Sequence, residues 1–389
     1  MSLSITQTPA LVSLAQSPII FTLAESDVNL LTSSSFQYVG ELYYWTGSLS
    51  NSGSQSQYTI VKYPNTSDVG IFDLNRIINS TLTDLAIQNT SNVKYYAVDF
   101  YYQWASGSIF VTGSHTKSDV YKALDGYGIF QEPIGQNITS ASAYWPLMTD
   151  GPTTQSAFVD NFGNGGAYVG SAGGTLAPNK IVYNSNLGSA NYTISGNTSS
   201  SAQIAQYPIG ASQSGFPLST VGLEWYSVQA YNDSTALGLS IKYNIECIQK
   251  YPNVRIKWKN RYGQFDYFNF YMVNKQSFKT DRKTYQPQLG SWEGSTLSYQ
   301  NYDSGILNYI VDSNQAISVN SFWISEDYND RLKQLLVSDE IYWIYNESSQ
   351  LVRPLTIATQ DILFKTGVVD KLIQYSFDFN FGQAYKLII

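Results

Sequence analysis

Basic and aromatic side chains are concentrated between residues 250 and 283, and this is the stretch where the residue types could bind a charged partner. The basic residues there are Lys250, Arg255, Lys257, Lys259, Arg261, Lys275, Lys279, Arg282 and Lys283. Basic grooves with stacking rings bind single-stranded nucleic acid, but nucleic-acid interfaces have a wider positive footprint. The whole chain carries a net charge of −7. We therefore disfavour nucleic acid and expect the basic face to pair with acidic protein surface on a neighbouring subunit.

Residues 254 to 272 predict a β-hairpin that would position these charges. Apolar and basic residues alternate from Val254 to Lys259, which is the period of a half-buried strand. The segment 260–263 predicts a turn that ends in a glycine. The segment 265–272 predicts the returning strand. We expect Val254, Ile256 and Trp258 to face the core. The candidate subunit-interface residues on the other face and in the turn are Arg255, Lys257, Lys259, Arg261 and Tyr262.

The single histidine and the single cysteine do not predict a catalytic or metal site. His115 lies on a polar stretch without a nucleophile elbow nearby. Cys247 has no second cysteine for an intramolecular disulfide, and its apolar neighbours predict a buried, inert thiol. One histidine and one cysteine do not complete a structural zinc site. We assign no catalytic residue, no metal ligand and no cofactor.

The acidic residues and glycine-rich segments do not form an enzymatic motif either. Asp160, Glu224 and Asp266 lie among aromatic residues, but no pair of carboxylates has the arrangement of a general acid and base. The glycines of 161–166 and 170–174 lack phosphate-binding spacing and predict tight turns. The sequence therefore indicates that the protein is not an enzyme.

Composition predicts a mainly β, multi-domain β-sandwich protein with a few short helices. The chain has 389 residues, of which only 13% are charged, and it is rich in tyrosine, serine and asparagine. That length suits two or three domains. No apolar run approaches the length of a membrane span, and the N-terminus does not resemble a secretory signal.

Changes in composition divide the chain into three predicted domains. Residues 1–127 predict an N-terminal β-sandwich with a helix after Asp73 and a brief helix at 119–124. Residues 128–220 are rich in glycine, serine and asparagine and predict a β-lobe or an extended insertion. Residues 221–389 predict a C-terminal β-sandwich with one helix near 326–337, where Ser325 is the expected N-cap. Its buried stripe would be Leu332, Leu335 and Leu336.

Three blocks of the sequence resemble virion structural proteins of tailed bacteriophages that infect Bacteroidetes. The first block combines 17–21, 36–39 and 70–78. The second is the aromatic pattern W-x-N-x-x-G-x-x-D-x-F-x-F, which the sequence matches from Trp258 to Phe270. The third combines 323–327 with 335–342. The middle third of the chain shows no such likeness.

This resemblance implies a structural component of a bacteriophage particle. It implies a tail or baseplate protein that assembles as a homo-oligomer and connects other virion proteins. The implied location is the virion, after synthesis in the host cytoplasm. A capsid decoration or neck (head-completion) protein is one alternative. Another is an adhesin that binds host-surface glycan through aromatic platforms, such as Tyr43, Tyr44 and Trp45, or Trp145.

Overall fold

The computed structural model describes residues 3–33, 35–45, 58–82, 93–129, 146–170, 176–194, 204–247, 250–288, 290–300, 305–346, 351–366 and 373–383. Strands make up 53% of it and helices 7%, which confirms a mainly β, multi-domain β-sandwich protein. The chain divides into two compact units. The first comprises 1–247 and 259–266, and the second comprises 248–258 and 267–389. The predicted boundaries at 127 and 220 do not coincide with this division.

The N-terminal part of the first unit is a β-sandwich. Its elements are β1 (Ser4–Gln7), β2 (Val12–Leu14), β3 (Ile20–Ala24), α1 (Val28–Leu31), β4 (Gln37–Trp45), β5 (Tyr58–Lys62), β6 (Val69–Asp73), α2 (Asn75–Leu82), β7 (Val93–Ser106), β8 (Ile109–Thr112), β9 (Thr116–Lys117) and β10 (Tyr121–Leu124). One sheet has the order β1-β3-β6. The other has the order β2-β10-β7-β4-β5, with β8 and β9 also paired to β7.

Aromatic side chains fill the space between these two sheets. The rings of Phe21 and Phe72 from the first sheet each lie 5.3 Å from the ring of Phe100 in the second. The helix predicted after Asp73 is confirmed, and the Asp73 carboxylate accepts a hydrogen bond from the Asn75 amide at 3.1 Å. The helix predicted at 119–124 is wrong. That segment contains β10, whose backbone pairs with strands on both sides.

The rest of the first unit is a β-lobe. Its strands are β11 (Thr154–Ala157), β12 (Asn164–Tyr168), β13 (Lys180–Ser185), β14 (Gly188–Thr193), β15 (Ile204–Pro208), β16 (Trp225–Asn232) and β17 (Thr235–Ile245). They form sheets of order β11-β17-β16-β13-β14 and β12-β15. Because β16 and β17 are inner strands of the first of these sheets, residues 221–245 belong to the lobe. The boundary predicted at 220 therefore falls too early.

The second unit is built on one large sheet and a helix. Its elements are β18 (Val254–Lys259), β19 (Phe265–Phe270), β20 (Lys275–Tyr285), β21 (Ser291–Glu293), β22 (Thr296–Ser298), β23 (Leu307–Asn320), a 3-10 turn (Glu326–Tyr328), α3 (Asn329–Val337), β24 (Ile341–Asn346), β25 (Leu351–Ile357) and β26 (Ser376–Phe381). The last residues of β18 and the first of β19 are counted with the first unit. The large sheet has the order β19-β18-β24-β25-β26-β23-β20.

The helix predicted near 326–337 is confirmed by the 3-10 turn and α3. Leu332 and Leu335 are completely buried and Leu336 is partly buried in the core of this unit. Ser325 precedes the helical segment, but its side chain makes no capping hydrogen bond. Among the described residues, no helix is long and apolar enough to cross a membrane.

Candidate functional site

The predicted hairpin exists, and its apolar face lies where the alternation places it. Val254, Ile256 and Trp258 are buried in the core of the second unit. The opposite face, the candidate subunit interface, is not an open surface of the chain, because Arg255 and Lys259 are also buried. Since a buried charge needs a partner, the contacts of these basic residues decide what the hairpin does.

Lys259 and Arg261 are paired with aspartates of the first unit. The Lys259 ammonium lies 2.7 Å from the Asp125 carboxylate, and their side chains are only 7% and 11% exposed. The Arg261 guanidinium forms an ion pair with Asp150. The Tyr262 hydroxyl donates to the same carboxylate at 2.8 Å. Burial, and then the neighbouring Asp150 charge, raise the pKa of Tyr262.

The hairpin turn is fixed by Asn260 and Gly263. The Asn260 side-chain oxygen accepts hydrogen bonds from the amides of Tyr262 and Gln264, both at 3.0 Å, while its amide donates to the Met148 carbonyl at 2.9 Å. Gly263 has a φ of 74°, and a Cβ there would lie 1.9 Å from the Asp125 carbonyl oxygen. The turn therefore requires a glycine for both its backbone conformation and its close packing.

The side chains of Arg255 and Lys257 contact other residues of the second unit. Arg255 donates to the Asn269 side chain at 2.9 Å, and its guanidinium stacks 4.8 Å from the ring centre of Tyr267. The Lys257 ammonium lies 5.3 Å from the ring centre of Tyr342. Burial lowers the pKa of Lys257.

All five predicted interface residues thus make contacts inside the chain. Tyr262 belongs to an apolar cluster with residues of β2, β10, β12 and β15. The hairpin turn ties together parts of the first unit instead of presenting an open basic surface. The sequence could not show this, because the aspartates that neutralise Lys259 and Arg261 are more than a hundred positions away along the chain.

Most of the exposed basic charge of the 250–283 stretch lies further along, on β20. All eleven residues of this strand are exposed, on both faces, and Lys275, Lys279, Arg282 and Lys283 are among them. β20 pairs with β23 from Lys275↔Ser318 to Tyr285↔Leu307. β26 pairs with β23 only over Ala316–Asn320. Beyond that point the part of the chain that the structure describes pairs no third strand with them, so β20 and β23 continue there as a two-stranded ribbon, which rises about 25 Å at the usual strand spacing.

We call this element the ribbon arm: 278–285 of β20, 307–315 of β23 and the described residues of the connection between them, 286–288, 290–300 and 305–306, which include the small β21–β22 sheet. The arm carries many exposed apolar side chains. They are Phe278, Tyr285, Trp292, Leu297, Tyr299, Ile306, Leu307 and Tyr309. Trp292 is 67% exposed. A signal for the arm is present in the sequence, since 275–285 is a strand-length segment without an alternating apolar face.

The remaining residues that could carry chemistry are scattered. In the N-terminal sandwich, His115 lies 3.2 Å from Asp99, and its side chain is half exposed. Asp160 and Glu224 are exposed, whereas Asp266 is buried and accepts a hydrogen bond from Thr149 at 2.7 Å. Within the described ranges, no group of three or more His, Cys, Asp and Glu residues could hold a metal ion.

Two further expectations about side chains need correction. Cys247 is exposed, so the prediction of a buried thiol is wrong. Trp45 is buried and stacks on Tyr95, with 5.9 Å between the ring centres, so it cannot offer a ring face to a sugar. Trp145, the other proposed glycan platform, lies outside the described residues.

Comparison with known proteins leaves the family of the chain open. No protein-family model matches it, and no curated protein is significantly similar. A solved structure of a Salmonella alpha-2-macroglobulin variant aligns with 97% of this chain at 8% identity and a TM-score of 0.18. The aligned region spans 27% of that protein. A similarity at this level carries no argument about fold or function.

Proposed function

We propose that this chain is a structural subunit of a bacteriophage particle, a tail or baseplate protein that assembles with its own copies and connects other virion proteins. The observation that supports this proposal best is the ribbon arm. The bacteriophage assignment comes from the sequence resemblance of the three blocks described above.

The arm has the properties of an assembly element. Its β20 edge, away from β23, pairs with no strand among the described residues. Proteins usually shorten or cover such an edge, because exposed edges and apolar patches promote unwanted association. An arm with a long edge and exposed aromatic residues is therefore best explained by a partner that covers it in the assembled state. Tyrosine and tryptophan are also enriched in protein interfaces.

Two kinds of measurement test this proposal: whether purified particles contain the protein, and whether the ribbon arm is protected from hydrogen exchange in them. In phage particles purified from the culture that produces the chain, mass spectrometry should detect the protein. Electron microscopy with a specific antibody should place it on the tail or baseplate. Hydrogen exchange of 278–285 should be slower in the particle than in the isolated chain. Absence of the chain from purified particles would overturn the proposal, while label at the neck or capsid would replace it with the corresponding alternative.

A pair of variants separates the arm from exposed apolar residues in general. Trp292→Ala should reduce incorporation into particles, since it removes a large exposed ring from the arm. Leu363→Ala is the matched control, because Leu363 is 84% exposed and lies outside the arm. Equal incorporation of both variants would show that Trp292 makes no essential contact.

A further inference from the structure

The exposed edge of β20 is complementary to itself. We propose that two copies of this chain pair their β20 strands antiparallel about a two-fold axis at Thr280, which joins the two large sheets edge to edge. This inference deepens the proposed function, since it names the surface through which copies associate. It rests on that function only for its biological setting, because the pairing itself can be measured on the purified chain.

Symmetry restricts how two identical strands can pair. A two-fold axis between antiparallel copies of one strand passes through a single residue, which then faces itself. The axis can therefore pass through any residue of β20. Once its position is chosen, it determines which residue of the second copy faces each residue of the first. The strand runs from Lys275 to Tyr285, and Thr280 is its midpoint. An axis at Thr280 is thus the one that pairs all eleven residues.

The charges of β20 agree with this register. With the axis at Thr280, Lys279 of each copy lies opposite Asp281 of the other, so two pairs of unlike charge form. Arg282 lies opposite Phe278, where a guanidinium can contact a ring face. Lys275 and Lys283 lie opposite Tyr285 and Ser277. No like charges face each other directly, and the two threonines at the axis can exchange a hydrogen bond.

Neighbouring registers are opposed by charge. An axis at Lys279 places the two Lys279 side chains opposite each other and also sets Lys275 against Lys283 twice. An axis at Asp281 places the two Asp281 side chains opposite each other and sets Lys279 against Lys283 twice. Like charges directly opposite each other destabilise a strand pair. The sequence of β20 therefore favours one register over both of its neighbours.

The lysines of β20 also have a more general explanation, since lysine on an edge strand discourages pairing with other chains. Without Asp281, lysines would still face each other in the two neighbouring registers, and the register at Thr280 would gain no pair of unlike charge. Asp281 changes this outcome, because it lies between Lys279 and Lys283 on the same face. Within the arm Asp281 is placed directly opposite Asp312 of β23, an unfavourable neighbour for a carboxylate. Lys279 of a second copy would offset that repulsion.

Charge reversal gives a direct test by sedimentation of the purified chain. Lys279→Asp alone and Asp281→Lys alone should each weaken dimerisation about ten- to a hundredfold, since each turns two attractive pairs into two repulsive ones. An equimolar mixture of the two single variants should form heterodimers with restored affinity. The double variant K279D/D281K should also dimerise, because both pairs return with the charges exchanged.

Lys283→Asp is the matched control for Lys279→Asp. Both lysines lie two residues from Asp281, and both are diagonal neighbours of Asp312 in the register with β23. The two substitutions change the net charge equally. In the proposed register, however, Lys283 faces Ser277 instead of a carboxylate, so Lys283→Asp should leave dimerisation intact. Equal loss of dimer in both variants, or no rescue in the mixture, would overturn the proposed register.

Cysteine crosslinking locates the axis independently. In a Cys247→Ser background, Thr280→Cys places two thiols directly opposite each other, with Cα atoms about 4.5–5.5 Å apart, within reach of a disulfide. Gln276→Cys on the same face would place its two thiols about 26 Å apart. Mild oxidation should give a covalent dimer for the first variant and none for the second. Efficient crosslinking of Gln276→Cys alone would overturn an axis at Thr280.

These results are distinguishable from failure of the proposed function. A chain that forms oligomers insensitive to all β20 variants overturns the edge pairing and leaves a structural role in the particle intact. A chain that dimerises through β20 but is absent from purified particles confirms the pairing and overturns the virion role. A purified chain that stays monomeric at all concentrations up to the millimolar range overturns the pairing.

Discussion

Replacing Lys259 with methionine tests whether the basic hairpin is an internal tie or a surface for a partner. Lys259 lies 2.7 Å from Asp125, and the side chains are 7% and 11% exposed. Lys259→Met leaves Asp125 without this partner in a site that is largely closed to water. Removal of one member of a buried ion pair costs about 3–5 kcal/mol. We expect the unfolding free energy of the first unit to fall by that amount.

The measurement is urea unfolding followed by circular dichroism, with the shift of each variant taken from the transition of the unit that contains the substituted residue. Lys333→Met is the control. The Lys333 ammonium lies at a similar distance, 2.8 Å, from the Asp330 carboxylate, but these two side chains are 55% and 79% exposed. Exposed pairs are worth at most about 1 kcal/mol. The double variant K259M/D125N should recover most of the loss, because no charge is then left unpaired in the site.

A loss below about 1 kcal/mol for Lys259→Met, equal to that of Lys333→Met, would refute the reasoning. Such a result would mean that water reaches Asp125 and that Lys259 is available at the surface. The basic face of the hairpin would then again be a candidate for binding a neighbouring subunit. Recovery in the double variant separates loss of charge balance from loss of the packing that the lysine stem provides.

Two further predictions concern the same hairpin. Trp258→Ala should lower the stability of the second unit by about 3–5 kcal/mol, because the ring is completely buried. Trp258→Phe should cost less. An unchanged melting temperature for the alanine variant would contradict the core position of Trp258. For Tyr262, the raised folded-state pKa means that its contribution is fully present below pH 10 and is lost as pH rises further. Tyr262→Phe should therefore reduce the alkaline fall in unfolding free energy by up to about 1.4 kcal/mol per pH unit, and an unchanged slope between pH 10 and 12 would contradict this.

Local patterns predicted the elements whose burial depends on their own sequence. The alternation at Val254–Trp258 and the leucine stripe of α3 both face the core as expected, because apolar burial dominates the choice of face. The pattern failed at β10, where strand partners on both sides outweigh a short helical signal. Local patterns misplaced the boundary at 220 for a related reason, since β16 and β17 pair not only with each other but also with β13 and β11, which lie before it.

Charge was the least predictable property, because a lysine on a strand has the same local signature whether it faces water or a distant carboxylate. Lys259 and Lys279 illustrate this. The first is neutralised by Asp125, a partner 134 positions away that no local pattern identifies. The second lies on a strand without an alternating apolar face, and all eleven residues of that strand are exposed. That absence of an apolar face is a readable signal. It separates a strand that completes a core from one that projects beyond it, and in this chain it selects β20 as the edge through which a second copy can add to the sheet.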